Sequence, residues 1–114
     1  MFTGESEQTI DSTSRVIIPV TLREGLKETF YMCRGLNESC IWLLPERVFK
    51  ALIKDIRSKI TLTDKNGQNW IRRFTASAVQ KNLDGQNRLT LSPNLKEIAG
   101  ITERVKILGN GDRV

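Results

Sequence analysis

Histidine is missing from the sequence altogether. Its absence removes Ser-His and Cys-His activation of a nucleophile, and imidazole ligation of a metal. Cysteine is almost as scarce: Cys33 and Cys40 are the two present. Two thiols make no disulfide framework and supply too few ligands for zinc, so they read as reduced strand thiols. No glycine-rich phosphate loop follows a strand and opens a helix. Asp11 and Asp84 could form an acid–base pair only if distant segments faced one another, and each already has an arginine four residues on. These absences argue against an enzyme and against any cofactor. No apolar run approaches the roughly 18 residues of a membrane span, and the polar N-terminus carries no signal peptide. The expectation is a cytoplasmic protein with no membrane partner. Aromatic residues are 6% of the chain, and the exposed platforms that favour single-stranded RNA are lacking.

Positive charge is what the sequence does have, with a net +5 over 114 residues. The excess is uneven. Residues 1–44 carry four basic and six acidic side chains, residues 45–60 five and two, and residues 61–114 nine and five. Such a balance fits either a polyanionic partner such as nucleic acid or a solvated basic surface without a ligand.

One stretch organises the chain. Asp11-Ser12-Thr13-Ser14-Arg15 precedes Val16-Ile17-Ile18-Pro19, and Asp84-Gly85-Gln86-Asn87-Arg88 precedes Leu89-Thr90-Leu91-Ser92-Pro93. Asp11 to Asp84 and Arg15 to Arg88 are both 73 residues apart. At that offset Ile10 matches Leu83, Val16 matches Leu89, Ile18 matches Leu91, Leu22 matches Leu95 and Arg23 matches Lys96. The chain therefore reads as two copies of a strand–loop–strand–helix unit. Units of about 40 residues bury too little by themselves, so intertwining or self-association is expected from size alone.

In chain order, a short strand ends at Ile10 and an Asx-type turn begins at Asp11. Val16 to Ile18 is a β-branched strand, followed by a helix over Val20 to Lys27. Strands over Phe30 to Cys33 and Cys40 to Leu44 flank a turn over Arg34-Gly35-Leu36-Asn37-Glu38. Pro45-Glu46 opens a helix with Val48, Phe49, Leu52, Ile53 and Ile56 on one face. Its Lys50, Lys54, Arg57 and Lys59 form either a nucleic-acid face or a solvated back. Thr63 is the expected N-cap of a helix over Asp64 to Phe74, with Trp70, Ile71 and Phe74 buried. Copy two starts with a strand over Ser77 to Leu83. Ser92, Pro93 and Gly100 bracket its helix, and Val105 to Leu108 is the last strand. The class is α+β.

An arginine at the tip of a strand–loop–strand element can grip phosphate or pair with guanine in the major groove. Arg15 and Arg88 can equally pair with Asp11 and Asp84 simply to hold the loop. The residues leave both readings open.

The two stretches MFTGESEQTIDSTSRVIIPVTLRE and ASAVQKNLDGQNRLTLSPNLKEIAGI resemble the two halves of an MraZ protein, a family within the SpoVT/AbrB superfamily of bacterial regulators. The resemblance covers nearly the whole chain, and the paired D-x-x-x-R motifs are its most specific part. It implies two AbrB-like swapped-hairpin β-barrel repeats joined by helices, with a pseudo-two-fold within the chain. The first repeat would span 1–45, the linking helices 46–75 and the second repeat 76–114. It implies Arg15 and Arg88 as DNA contacts, with Thr13, Ser14, Gln86 and Asn87 on the same loops and Asp11 and Asp84 shaping them. The partners implied are double-stranded DNA with short direct repeats and further copies of the chain in an octamer-like ring. The function implied is a nucleoid-associated regulator, as a repressor, of a division and cell-wall gene cluster including its own gene.

Two departures bear on these expectations. Where the family usually has a basic residue and then glycine before the motif arginine, this chain has Thr13-Ser14 and Gln86-Asn87. A glycine there suggests a left-handed backbone, which Asn tolerates and Ser tolerates less well. The sequence also ends at Val114, within the closing strand of copy two, so the family's usual C-terminal segment is expected to be lacking. The rival function is an AbrB-like antitoxin or protein-interaction module, which should carry an acidic, flexible tail after the second copy.

Overall fold

Short apolar runs between turn signals become strands, and the amphipathic stretches become helices, in the computed structural model, which describes residues 1–36 and 38–114. Strand β1 (Glu5–Thr9) enters the first motif loop and β2 (Arg15–Ile17) leaves it. Helix α1 (Val20–Leu26) follows, then the hairpin β3 (Phe30–Arg34) and β4 (Ile41–Pro45). Two 13-residue helices, α2 (Glu46–Ser58) and α3 (Lys65–Ser77), cross to the second copy. There β5 (Val79–Lys81), β6 (Arg88–Thr90), α4 (Pro93–Ala99) and β7 (Arg104–Leu108) repeat the opening order. Asn37, within the expected hairpin turn, lies outside the described residues.

Pairing runs between the copies. β1 pairs β7, β2 pairs β6 and β5 pairs β3, all antiparallel. The partners nearly obey an internal two-fold. Gln8 lies opposite Val105, and Lys81, 73 residues after Gln8, lies opposite Phe30. Phe30 and Val105 are 75 apart, two more than the repeat offset; residues 27–29 join helix to strand in copy one, and the longer 100–103 do so in copy two. Gly100 accommodates that longer exit in a left-handed cap at φ 68°, where a residue without Cβ is favoured.

Apolar side chains from both copies meet in one core: Val16, Ile18, Leu22, Leu26, Phe30 and Met32 from the first, and Leu89, Leu91, Leu95 and Ile107 from the second. Burying a leucine such as Leu22 or Leu26 contributes about 1.5–3 kcal/mol of transfer free energy. A second cluster joins Cys33, Leu44, Phe49, Ile71 and Phe74. Successive residues of the hairpin face opposite sides, Met32 into the first core and Cys33 into the second. Both faces are thus covered, which explains why Phe30-Tyr31-Met32-Cys33 is continuously apolar rather than alternating. Ring stacking extends the second cluster, with Tyr31 on Phe49 at 4.3 Å and Trp70 on Phe74 at 5.2 Å between centroids. Both cysteines are free thiols, and burial pushes the Cys33 thiol up to about 12.

Four expectations change. Asp64, not Thr63, caps α3, its carboxylate accepting from the Gly67 N–H at 2.9 Å. Side-chain reach to the third helical N–H is what a cap requires, and Asp64 satisfies it. Ser77 belongs to α3, so β5 starts later and is only three residues long. Trp70 is 42% exposed: it lies over Phe74 at the edge of the cluster, while Ile71 and Phe74 are buried. The barrel is not closed among the described residues, whose strands form three sheets ordered β1-β7, β2-β6 and β4-β3-β5. The short β2 and β6 give way to Pro19 and Pro93 within three residues, and proline cannot extend a ladder as donor. Among the described residues the outer edge of β4 receives only Val114, through paired bonds to Leu43 at 2.8 and 2.9 Å. No helix among the described residues is long and apolar enough to cross a membrane.

Candidate nucleic-acid interface

Each motif loop is built around its aspartate. Asp11 Oδ1 accepts from the N–H of Thr13 at 2.9 Å, the Thr13 hydroxyl at 3.0 Å and the N–H of Arg15 at 2.9 Å. Its Oδ2 accepts from Arg15 Nε at 2.9 Å. In copy two Asp84 Oδ1 accepts from the N–H groups of Gln86 and Arg88 at 2.8 and 2.9 Å, and Oδ2 from Arg88 Nε at 2.9 Å. The backbone closes the same way twice, with Asp11 N–H donating to Arg15 O and Asp84 N–H to Arg88 O. These donors favour the ionised form. The Arg15 N–H, followed by bonds from Thr13 and the Arg15 side chain, holds the Asp11 carboxyl down at about 2 against the cost of desolvation. Asp84 is lowered too, first by the Arg88 N–H.

Ser14 and Asn87 stand at φ 62° and 61°. Both departures from glycine therefore occupy a left-handed backbone, as the family's usual glycine there suggested. Each loop is also tied to the other copy. Leu91 N–H donates to Ser14 O at 2.9 Å, and Ile18 N–H to Asn87 O at 3.1 Å.

The pairing of Arg15 with Asp11, and of Arg88 with Asp84, which the residues alone left open, is present, yet it uses only Nε of each guanidinium. The terminal nitrogens make no hydrogen bond among the described residues, so loop support and ligand contact are compatible uses of one side chain. Strand parity sets where these groups point. Val16 faces Leu89 across the ladder and both are buried, at 3% and 1% exposure. Their neighbours Arg15, Ile17, Arg88 and Thr90 take the opposite, outer face. Arg15 lies opposite Thr90, and Ile17 opposite Arg88. The two arginines thus sit diagonally on one face, as neighbours about 7–8 Å apart by sheet geometry. Thr13 spends its hydroxyl on Asp11; Gln86 is exposed with no side-chain hydrogen bond among the described residues.

Two cations missed as site residues join the loops. Lys96 Nζ, on α4, donates to the Ser14 hydroxyl at 2.9 Å. Its counterpart Arg23, on α1, lines an open cleft of about 400 Å³ with Asp84 and Asn87, and its buried Nε has no hydrogen-bond partner among the described residues. Because each motif arginine is offset by its own aspartate, Lys96 and Arg23 supply the excess positive charge there. Their match at the repeat offset was the available signal. Ile17 was missed as well, since its place beside Arg88 depends on register across the copies. Lys50 on α2 and Lys59 at its C-cap pair with Glu46 and Asp55 at 3.2 and 3.1 Å, a solvated pattern for half of that basic row. No group of three metal-ligating side chains occurs among the described residues.

A protein-family model described as "MraZ protein, putative antitoxin-like" matches residues 1–69. All 114 residues align at 37% identity with Transcriptional regulator MraZ of Natranaerobius thermophilus, covering 78% of that protein. The same protein of Acetivibrio thermocellus is also 37% identical, with 78% covered. That of Lactobacillus delbrueckii subsp. bulgaricus is 36% identical over all 114 residues, again with 78% covered.

Proposed function

The chain belongs to the MraZ family, and from that premise we propose that it is a transcriptional regulator that grips duplex DNA with the outer face of the β2–β6 ribbon. The observation that carries the reading is the diagonal pair Arg15 and Arg88 on one solvent face of a two-stranded ribbon, each with its terminal nitrogens uncommitted among the described residues. A two-stranded ribbon fits the roughly 12 Å major groove, and a guanidinium fork matches the guanine edge or a phosphate. Thr13, Ser14, Gln86 and Asn87 border that face on the loops. Asp11 and Asp84 shape the loops and stay off the phosphates, whose charge would repel them.

On this reading residues 1–45 and 76–114 are interleaved repeats of the swapped-hairpin, AbrB-like type, and residues 46–75 are the helices joining them. Cross-pairing of β1 with β7 and of β5 with β3 supports it. One chain offers two motif arginines, so affinity comes from several copies in a ring meeting short direct repeats in the DNA. Boxes spaced at the helical repeat would present successive ribbons with one side of the duplex. The target is a division and cell-wall gene cluster containing the protein's own gene, with repression by competition with polymerase and a location on the nucleoid.

The test is binding of the wild type, Arg15→Ala and Arg88→Ala to DNA from upstream of the protein's own gene at two salt concentrations. Loss of specific binding, with the oligomer intact by light scattering, supports the ribbon. Undiminished binding by both variants would remove it and direct attention to Lys54 and Arg57 on α2. No binding by the wild type, with a second polypeptide co-purifying, would favour an antitoxin-like module instead.

A further inference from the structure

We infer that Ile17 is a specificity-determining residue that packs on the C5-methyl group of a thymine when the β2–β6 ribbon lies in the major groove. The inference rests on the reading of that ribbon as the DNA-binding face, and adds to it the base feature that is read.

Ile17 is anomalous for its strand. Val16 and Ile18 on either side are 3% and 1% exposed, whereas Ile17 is 53% exposed. Single exposed aliphatic residues need no explanation by themselves. The neighbours of this one give it meaning. It shares the outer face with Arg15 and Arg88, and lies directly opposite Arg88 in the ladder. Directly opposed side chains have Cβ atoms about 4.5–5.5 Å apart, so whatever edge Arg88 reaches, Ile17 meets the adjoining surface. The flanking guanidinium groups select a polyanion as occupant of this face. Within the major groove of such a polyanion the apolar feature is the thymine methyl, which aliphatic side chains contact.

The internal two-fold makes the consequence sharper. Arg15 and Arg88 are counterparts, but the counterpart of Ile17 is Thr90, which lies opposite Arg15. One half of the ribbon therefore presents an aliphatic group beside its arginine, and the other a smaller, hydroxyl-bearing one. A single chain then reads a directional site, with the larger apolar contact to a thymine methyl under Ile17 and a smaller one under Thr90.

The experiment replaces each thymine of the protected upstream box, one at a time, by deoxyuridine, which removes the methyl group and nothing else. Wild type should lose about fourfold in affinity at one position per bound chain, the value of burying one methyl-sized group. Ile17→Ser should bind thymine and uracil duplexes equally and keep the salt dependence set by its arginines. Ile17→Thr copies a side chain already carried at Thr90, guards against misfolding of the serine variant, and should show a reduced uracil penalty. Wild type indifferent to uracil at every position, while Arg15→Ala and Arg88→Ala still lose binding, overturns the inference and leaves the ribbon reading standing. Indifference together with undiminished binding by the arginine variants overturns both. A uracil penalty that survives in both Ile17 variants assigns the methyl contact to another residue and overturns the inference as well.

Discussion

Val16 lies directly opposite Leu89 in the β2–β6 ladder, and Leu89 is its own counterpart in the second copy. The internal two-fold therefore passes between these two side chains, at the centre of the shared core. A single chain holds itself together here as a pair of separate subunits would. Truncating either residue should weaken both copies at once. Leu89→Ala is expected to cost about 2–5 kcal/mol. Urea denaturation followed by intrinsic fluorescence and by circular dichroism should give one coincident, shifted transition. Separate transitions for the two copies would contradict a common core.

Ser14 and Asn87 hold φ near +60°, where a side chain on Cβ meets the following carbonyl at a cost of roughly 1–2 kcal/mol. Comparing glycine with alanine at each position removes the original side chain in both variants and isolates the backbone term. Glycine gains conformational freedom when unfolded, which offsets part of the benefit. Net, the glycine variant should be more stable than the alanine variant by about 1 kcal/mol at both sites, after that offset. Ser14→Ala should also fall below the wild type through loss of the Lys96 bond. Equal stability of the glycine and alanine variants would mean that the loop relaxes out of the left-handed region.

The motif loops were legible because their physics is local. An aspartate followed four residues on by an arginine, with a strand and a proline after it, is enough to specify the Asx turn, and it puts the ion pair within reach without deciding it. Ser92, Pro93 and Gly100 fixed α4 for the same reason: each acts on backbone groups within a turn. What escaped was set at long range. Ile17 and Ile18 look alike in sequence, yet one is exposed and the other buried because β2 pairs with β6 across the chain. Trp70 fits the helical stripe by spacing, but it lies partly exposed over Phe74 at the cluster's edge, while Ile71 and Phe74 are buried. Arg23 and Lys96 were visible as matched cations, while their reach into the opposite copy's loop follows from interleaving.

Gly109 and Gly25 both sit against Phe2, and the two should respond differently to a methyl group. A Cβ on Gly109 would lie 2.4 Å from Thr3 N and 2.6 Å from Phe2 C, both backbone atoms. The same segment carries the Gly109 N–H bond to Gly4 O at 2.7 Å, which extends the β1–β7 pairing. The backbone must move, so Gly109→Ala should cost about 1–3 kcal/mol. A Cβ on Gly25 would meet the Phe2 ring at 2.4 Å, and a ring can rotate. Gly25→Ala should therefore cost less than Gly109→Ala, read as a smaller drop in Tm, with about 4–8 °C expected per kcal/mol for a domain near this size. The reverse order would place the constraint on the Phe2 ring and not on the β1–β7 junction.

Acid should loosen the motif loops in a defined window. The Asp11 carboxyl sits at about 2 in the folded protein, chiefly because it accepts the Arg15 N–H, against about 3.9 for an unperturbed aspartate. Below about pH 4 the unfolded chain takes up this proton before the folded one does, so stability falls with falling pH. The contribution is fully present above the unfolded value and gone once the pH has passed through the folded one. Asp84 shifts in the same direction through Arg88. Asp11→Asn keeps an acceptor for the backbone N–H groups but removes the titrating charge and its pairing with Arg15 Nε. Its deficit relative to wild type, measured by urea denaturation, should be constant above about pH 5 and shrink steadily from about pH 4 toward pH 2. A deficit that stays the same through that window would show that the ionised carboxylate contributes nothing beyond the neutral amide, and that the loop is held by geometry alone.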